Sequence, residues 1–215
     1  MSKNIVVLVS GGGTNLQAII DAISEKKITN AKIELVISSS ENAYALERAK
    51  KADIQTKILS RKEFENSLDF DRAIIETLKE YKADIVVLAG FMSILGKKVT
   101  DEFENKIINV HPSLIPSFCG EGFYGIKVHK AVINSGVKIS GATVHFVNEI
   151  PDGGAIILQE CVKVLDDDTP EVLQKRIMEN VEWKILPKAI DLIANDKIEV
   201  IDNKTIIREK QNEND

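Results

Sequence analysis

Apolar runs alternate with amphipathic segments along most of the chain. Asn4–Ser10 (NIVVLVS) predicts a buried strand, and in Thr14–Ser24 the residues Leu16, Ile19, Ile20 and Ile23 share one helical face. Lys32–Ser38 predicts a second strand, Ala43–Lys51 a second helix and Gln55–Leu59 a short third strand. Ser60 and Glu63 have capping-box spacing. A helix is predicted over Ser67–Tyr81, with Phe70, Ile74 and Leu78 facing one way, and Asp84–Ala89 (DIVVLA) forms an apolar fourth strand. This alternation predicts an α/β fold: a Rossmann-like, mostly parallel twisted sheet of the doubly wound type, with helices on both faces.

The second half changes character. Lys106–Val110 predicts a strand that runs into His111-Pro112, and Pro112–Gly125 predicts a long loop. A helix is expected over Ile126–Asn134. Lys138–Val147 and Ala155–Val164 predict strands joined by a turn through Pro151-Asp152-Gly153-Gly154, so antiparallel strands enter the sheet here. Thr169 and Pro170 have the chemistry of a helix cap and first position, for a last helix reaching about Asn195. Val200-Ile201 and Thr205–Ile207 predict a terminal hairpin around Asn203. Residues 1–207 read as a single domain, and 208–215 (REKQNEND) as a charged, disordered tail.

Composition narrows the class. The chain has 215 residues, 44% apolar and 28% charged, with net charge −5. No run approaches the ~18 apolar residues of a membrane span, and no secretory leader precedes the first strand. No membrane partner is expected, and the location implied is cytoplasmic. Cys119 and Cys161 lack metal-ligand spacing and read as reduced, structural thiols. No metal is expected. The absence of a basic stripe argues against a nucleic-acid partner. A small anionic substrate stays open, because amides at a helix start hold phosphate whatever the net charge. A monomer and a homodimer are equally compatible with the sequence.

Three clusters carry candidate chemistry. The first turn, Ser10-Gly11-Gly12-Gly13-Thr14-Asn15, offers glycines for close backbone approach and a helix N-terminus with unpaired amides. It reads as a phosphate cradle. It is not a Walker loop, and Leu16 occupies the third glycine position of a dinucleotide fingerprint. The second cluster is Asn109-Val110-His111-Pro112-Ser113-Leu114-Ile115-Pro116. Strand alternation puts Asn109 and His111 on one side, at the carboxyl end of a parallel strand where such sheets bind ligands. An amide donor beside an imidazole suits acyl-group chemistry: one polarises a carbonyl, the other moves a proton. The third is Asp152-Gly153-Gly154, a common turn sequence whose carboxylate would raise the pKa of a nearby histidine and relay a proton. His145, alternating with apolar residues, reads as structural, and His129 on the helix after the loop is open either way. Ser113 lacks the flanking glycines of a nucleophile elbow.

Together these segments resemble the folate-dependent formyltransferase family. SGGGTNLQAI (Ser10–Ile19), LAGFMSIL (Leu88–Leu95), INVHPSLIP (Ile108–Pro116) and GATVHFVNEIPDGGAIILQ (Gly141–Gln159) follow that family's order over nearly the whole chain. The resemblance implies 10-formyltetrahydrofolate as formyl donor and glycinamide ribonucleotide as the amine acceptor, in purine biosynthesis. It implies a catalytic trio of Asn109, His111 and Asp152. It assigns Gly12, Gly13, Thr14 and Asn15 to the substrate phosphate, and Met92, Val110 and Glu182 to the rest of that substrate. Ser93, Ile94, Leu95, Asn109, Val147 and Asp152 would line the folate. Ser93 departs from the arginine that many relatives carry there.

Two relatives within the family compete. A tRNA-formylating enzyme usually carries a further C-terminal domain and more basic charge, and formyltetrahydrofolate deformylase adds an N-terminal domain. The chain ends too soon for the first and carries net charge −5, and its glycine loop begins at Ser10, leaving no room for the N-terminal domain of the second, so neither is expected. Outside it, a nicotinamide-dependent dehydrogenase would need the missing third glycine, and a non-enzymatic nucleotide-binding module would leave the trio unexplained as a set.

Overall fold

The computed structural model describes residues 2–208. Its first half is β1 (Lys3–Val9), α1 (Thr14–Ser24), β2 (Ala31–Ser38), α2 (Tyr44–Lys51), β3 (Gln55–Ile58), α3 (Ser67–Glu80) and β4 (Ile85–Leu88). There follow α4 (Lys97–Glu102), β5 (Ile107–His111), α5 (Ile126–Ser135), β6 (Ile139–Phe146), β7 (Ile156–Lys163), α6 (Pro170–Ile177), α7 (Trp183–Ala194), β8 (Ile198–Ile201) and β9 (Lys204–Ile207).

Seven strands make one sheet in the order β3-β2-β1-β4-β5-β6-β7. β1 to β5 are parallel, whereas β6 is antiparallel to β5 and β7 to β6. The sheet is covered on both faces, so its strands read as continuous apolar runs. Ile5, Val7 and Val9 of β1 pack with α1, α2, α5, α6 and α7, while Val6 and Leu8 pack with α3 and α4. Each fully buried Ile or Leu contributes roughly 1.5–3 kcal/mol. The strand order reverses at β1, with β2 on one side and β4 on the other. Such a reversal opens a crevice at the carboxyl ends of the strands.

Four expectations need correction. Ser60 makes no side-chain cap and opens only a short 3₁₀ turn, Arg61–Glu63. The helix is capped instead by Asn66, whose Oδ1 accepts from the Asp69 amide at 3.0 Å. Helix α4 was not anticipated: it buries only Val99 and Thr100, too few positions for a helical stripe. The last helix is not continuous. Thr169 caps α6, with Pro170 in its first turn. A π-helical turn, Met178–Glu182, then separates α6 from α7. Finally, the Arg208 amide bonds Lys197 O at 2.8 Å, so Arg208 extends the hairpin and is not part of a tail. The rest of the expected tail, 209–215, lies outside the described residues.

The β8–β9 hairpin turns through Asp202 and Asn203, both with positive φ, as a two-residue hairpin loop requires. It leans on the sheet edge: Thr205 Oγ1 donates to Ile156 O at 2.7 Å, and Asn203 Nδ2 reaches Gly153 O at 3.4 Å.

Candidate active site

The glycine loop joins β1 to α1 at the crevice. Its three glycines exist for different reasons. Gly13 has φ +70°, and a Cβ there would sit 2.6 Å from Ala45 Cβ, so it is fixed by packing against α2. A Cβ on Gly11 or Gly12 would meet nothing within 4 Å. Nothing in the fold forbids a side chain there; close approach of a ligand would. Their carbonyls are tied back to α2: Ala45 N donates to Gly11 O at 3.0 Å and Arg48 Nε to Gly12 O at 2.8 Å. Thr14 opens α1, whose first-turn amides have no intrahelical acceptor.

One N–H of Asn15 is already committed within the protein. Its Nδ2 donates to Glu182 Oε2 at 2.8 Å, while its buried Oδ1 has no partner among the described residues. The π-helical turn carries Glu182 to that contact, and burial pushes its carboxyl up to about 7 against the opposing Asn15 bond. Thus two expected substrate residues meet each other.

The trio assembles at the end of β5. His111 Nδ1 lies 3.5 Å from Asp152 Oδ2, and Gly120 N donates to the same oxygen at 2.8 Å. His111 Nε2 faces Phe118 O at 2.9 Å. Asn109 joins through a residue assigned to the core by sequence. Its Nδ2 lies 3.2 Å from His145 Nε2, which is 3.6 Å from Asp152 Oδ1. β5 and β6 pair Asn109 directly opposite His145, which is why a strand histidine flanked by apolar residues reaches the cluster.

The motif residues around the trio have structural reasons. Thr143 Oγ1 donates to Ser113 O at 2.7 Å and accepts from Ile115 N at 3.1 Å, fixing the turn after His111. Gln159 Nε2 donates to Ile115 O at 3.0 Å. Ser113 Oγ donates to Ser117 O, so it is a structural hydroxyl. Asp152 has φ 54°, and a Cβ on Gly154 would lie 1.9 Å from Phe146 O, which explains the second glycine of the turn.

Electrostatics modifies one expectation. Asp152 does pull His111 upward, as does the Phe118 carbonyl, but burial outweighs both and leaves His111 below the ordinary imidazole value. Burial also favours the neutral form of Asp152. The neighbouring His145 ring, the Gly120 N–H and the His111 ring together overcome it, and the carboxyl lies below its usual range. The resting pair is therefore a carboxylate beside a neutral imidazole. His129 is fully buried, both ring nitrogens lack a partner among the described residues, and burial, then His111, push it down to about 4. It faces inward on α5 and is uncharged.

On the other side of the crevice lies the segment after β4. Met92 and Ile94 are exposed, at 57% and 84%, although both are apolar. Ser93 is half-buried, Leu95 is buried, and half-buried Val147 packs against the same core cluster as Leu95. Asp71 of α3, which the sequence reading passed over, fixes this segment: its Oδ1 accepts from Gly96 N at 3.1 Å. Ser10 Oγ accepts from Met92 N at 2.8 Å and so joins the segment to the glycine loop. Val110 is buried in the opposite core cluster, with the glycine-loop face, so its side chain lies away from Asn109. Among the described residues, no group of three or more His, Cys, Asp or Glu could hold a metal ion.

The formyl transferase family matches residues 3–190. The chain is 43% identical over 201 residues to phosphoribosylglycinamide formyltransferase of Haemophilus influenzae, covering 94% of this chain and 92% of that one. It is similar to the crystal structure of glycinamide ribonucleotide transformylase 1 from Symbiobacterium toebii, with TM-score 0.91 and 38% identity over 97% of this chain and 95% of that one. A formyltetrahydrofolate deformylase from Pseudomonas syringae is more distant, at TM-score 0.86 and 27% identity, over 97% of this chain and 67% of that one.

Proposed function

Because the chain belongs to the formyl transferase family, we propose that it transfers the formyl group of 10-formyltetrahydrofolate to the amine of glycinamide ribonucleotide, in purine biosynthesis. The observation that carries this reading is the meeting of Asn109, His111 and Asp152 around His145 at the end of β5, next to the β4 strand whose following segment is tied to the glycine loop. The open space at Gly11 and Gly12 fits a phosphate on the α1 amides. Glu182 and the unpaired Asn15 Oδ1 then face the rest of that substrate. Exposed Met92 and Ile94, with Leu95 and Val147, suit the flat apolar part of a folate.

The folate supplies a formyl carbon on a nitrogen able to leave. The remaining work falls to side chains of this protein. Asn109 donates an N–H to the formyl oxygen as negative charge builds there. Asp152, ionised at rest, takes the proton that the attacking amine sheds. His111 Nε2 donates to Phe118 O, which leaves its Nδ1 lone pair facing Asp152 Oδ2 at 3.5 Å. Two proton acceptors thus face one another, and a proton arriving between them satisfies both. That proton passes on to the leaving nitrogen. Among the described residues no side chain stands as an attacking nucleophile: Ser113 is bonded to Ser117, and burial pushes the Cys119 thiol up, with Asp152 adding to it.

Hydrolysis of the donor is the second reading, and the identity of 27% against 38–43% favours transfer. The deciding experiment follows folate absorbance with purified protein and 10-formyltetrahydrofolate, with and without glycinamide ribonucleotide. Formyl loss should require the amine. Equal loss without it, with release of formate, would replace this reading by the deformylase.

A further inference from the structure

We infer that His145 is a positioning residue for the transfer, holding the Asn109 amide in a single orientation. The inference rests on the formyl-transfer reading. His145 is 1% exposed, so water does not compete for its ring nitrogens. Nδ1 lies 2.7 Å from Phe146 O, which only accepts, so Nδ1 carries a proton. Nε2 lies 3.2 Å from Asn109 Nδ2, which only donates, so Nε2 offers its lone pair. The carbonyl thus selects the tautomer, and the tautomer selects which end of the Asn109 amide turns inward. One N–H of Asn109 is spent on His145, and the other is aimed by that bond.

Without His145 the amide can turn over. It would then present oxygen, and not N–H, toward a formyl oxygen for part of the time. Asp152 Oδ1 lies 3.6 Å from the same Nε2 lone pair and gains no hydrogen bond from it, while Oδ2 accepts from Gly120 N and faces His111. The two oxygens are thereby distinguished, and the one facing His111 takes the proton. His145 touches no reacting atom in this scheme; it acts through Asn109.

The test compares His145→Phe, which keeps a ring and removes both nitrogens, with His145→Gln, which restores an acceptor. The single-turnover rate of H145F is expected to fall roughly 10–100-fold, the range for lost outer partners of a site. KM for both substrates should stay within about twofold, since ground-state contacts are untouched. His145→Gln should recover much of the rate, and in an Asn109→Ala background His145→Phe should cost little more. A near-normal H145F rate, or losses that multiply in the double variant, overturns the inference. Melting curves separate these results from misfolding; should H145F not fold, His145→Asn, whose shorter amide leaves the acceptor out of reach, replaces it. If the wild-type protein transfers no formyl group, the proposed function fails. The inference is then read from side-chain amide NMR. The Asn109 Nδ2 protons should move between wild type and the variant, and unchanged shifts overturn it.

Discussion

Replacing Glu182 by glutamine gives a quantitative check on the buried pair beneath the glycine loop. Glu182 is 6% exposed, and among the described residues its carboxyl has one hydrogen bond, from Asn15 Nδ2 at 2.8 Å. Burial pushes its carboxyl from 4.5 up to about 7. The folded chain therefore holds this proton more tightly than the unfolded chain. The associated stability is fully present below the unfolded value and is lost as pH rises through about 7. At about 1.4 kcal/mol per pH unit, the gap between the two values amounts to about 3 kcal/mol. Glutamine has the same shape, stays neutral and can still accept from Asn15. Urea unfolding between pH 4 and pH 8.5 should show wild type and E182Q nearly equal at the acid end. The variant should gain to about 2–3 kcal/mol by pH 8 and level off beyond it. A constant difference across that range would refute the reasoning and show that Glu182 is solvated or otherwise compensated. The variant should also bind glycinamide ribonucleotide more weakly, so gained stability and lost binding would separate the two roles.

Asp152→Asn keeps an acceptor for Gly120 N–H but removes the base, so single-turnover formyl transfer should fall about 10²–10⁴-fold. It also removes the group that pulls His111 upward, so the acid limb of any remaining pH–rate profile that tracks His111 should move to lower pH. Near-normal turnover would contradict the proton path. The double variant with His111→Ala should cost far less than the product of the two single losses, because Asp152 and His111 share one proton site. Gly12→Val and Gly13→Val should part company. The first keeps its melting temperature and loses substrate affinity by calorimetry, whereas the second is itself unstable, since its Cβ lands on Ala45. Incubation with labelled 10-formyltetrahydrofolate alone should leave no formyl group on the protein, and mass spectrometry detecting one would point to a covalent route.

The strand–helix alternation was legible because each element buries one face, and the trio because Asn, His-Pro and Asp-Gly-Gly are unusual together. What escaped was set by pairing across long chain distances. Strand alternation gave His145 a buried side but could not say that Asn109 stands opposite it. Asn15 and Glu182 are 167 residues apart, and no local pattern announces their bond. Gly13 was read with its neighbours as a cradle, yet its need for glycine comes from α2. Asp71 passed as an ordinary polar position on α3 because the loop it clamps lies beyond the next strand. Helix α4 escaped for a local reason, being too short and charged to show a period.

The π-helical turn has a consequence for phase. Leu173, Ile177, Val181, Ile185 and Ala189 are all buried in one cluster, a spacing of four residues sustained from α6 through α7. A regular α-helix turns about 100° per residue, so a strict spacing of four drifts by about 40° at each step. Those side chains would spiral away from the sheet before α7 ended. The wider turn at Met178–Glu182 absorbs an extra residue and resets the winding, so that both halves face the same core. Deleting one residue there would tidy the backbone into a continuous α-helix. It would also rotate all of α7 by about 100° relative to α6, turning Leu186 and Ile190 off the core and carrying Glu182 away from Asn15. The irregular turn thus sets the timing of the whole C-terminal third of the fold.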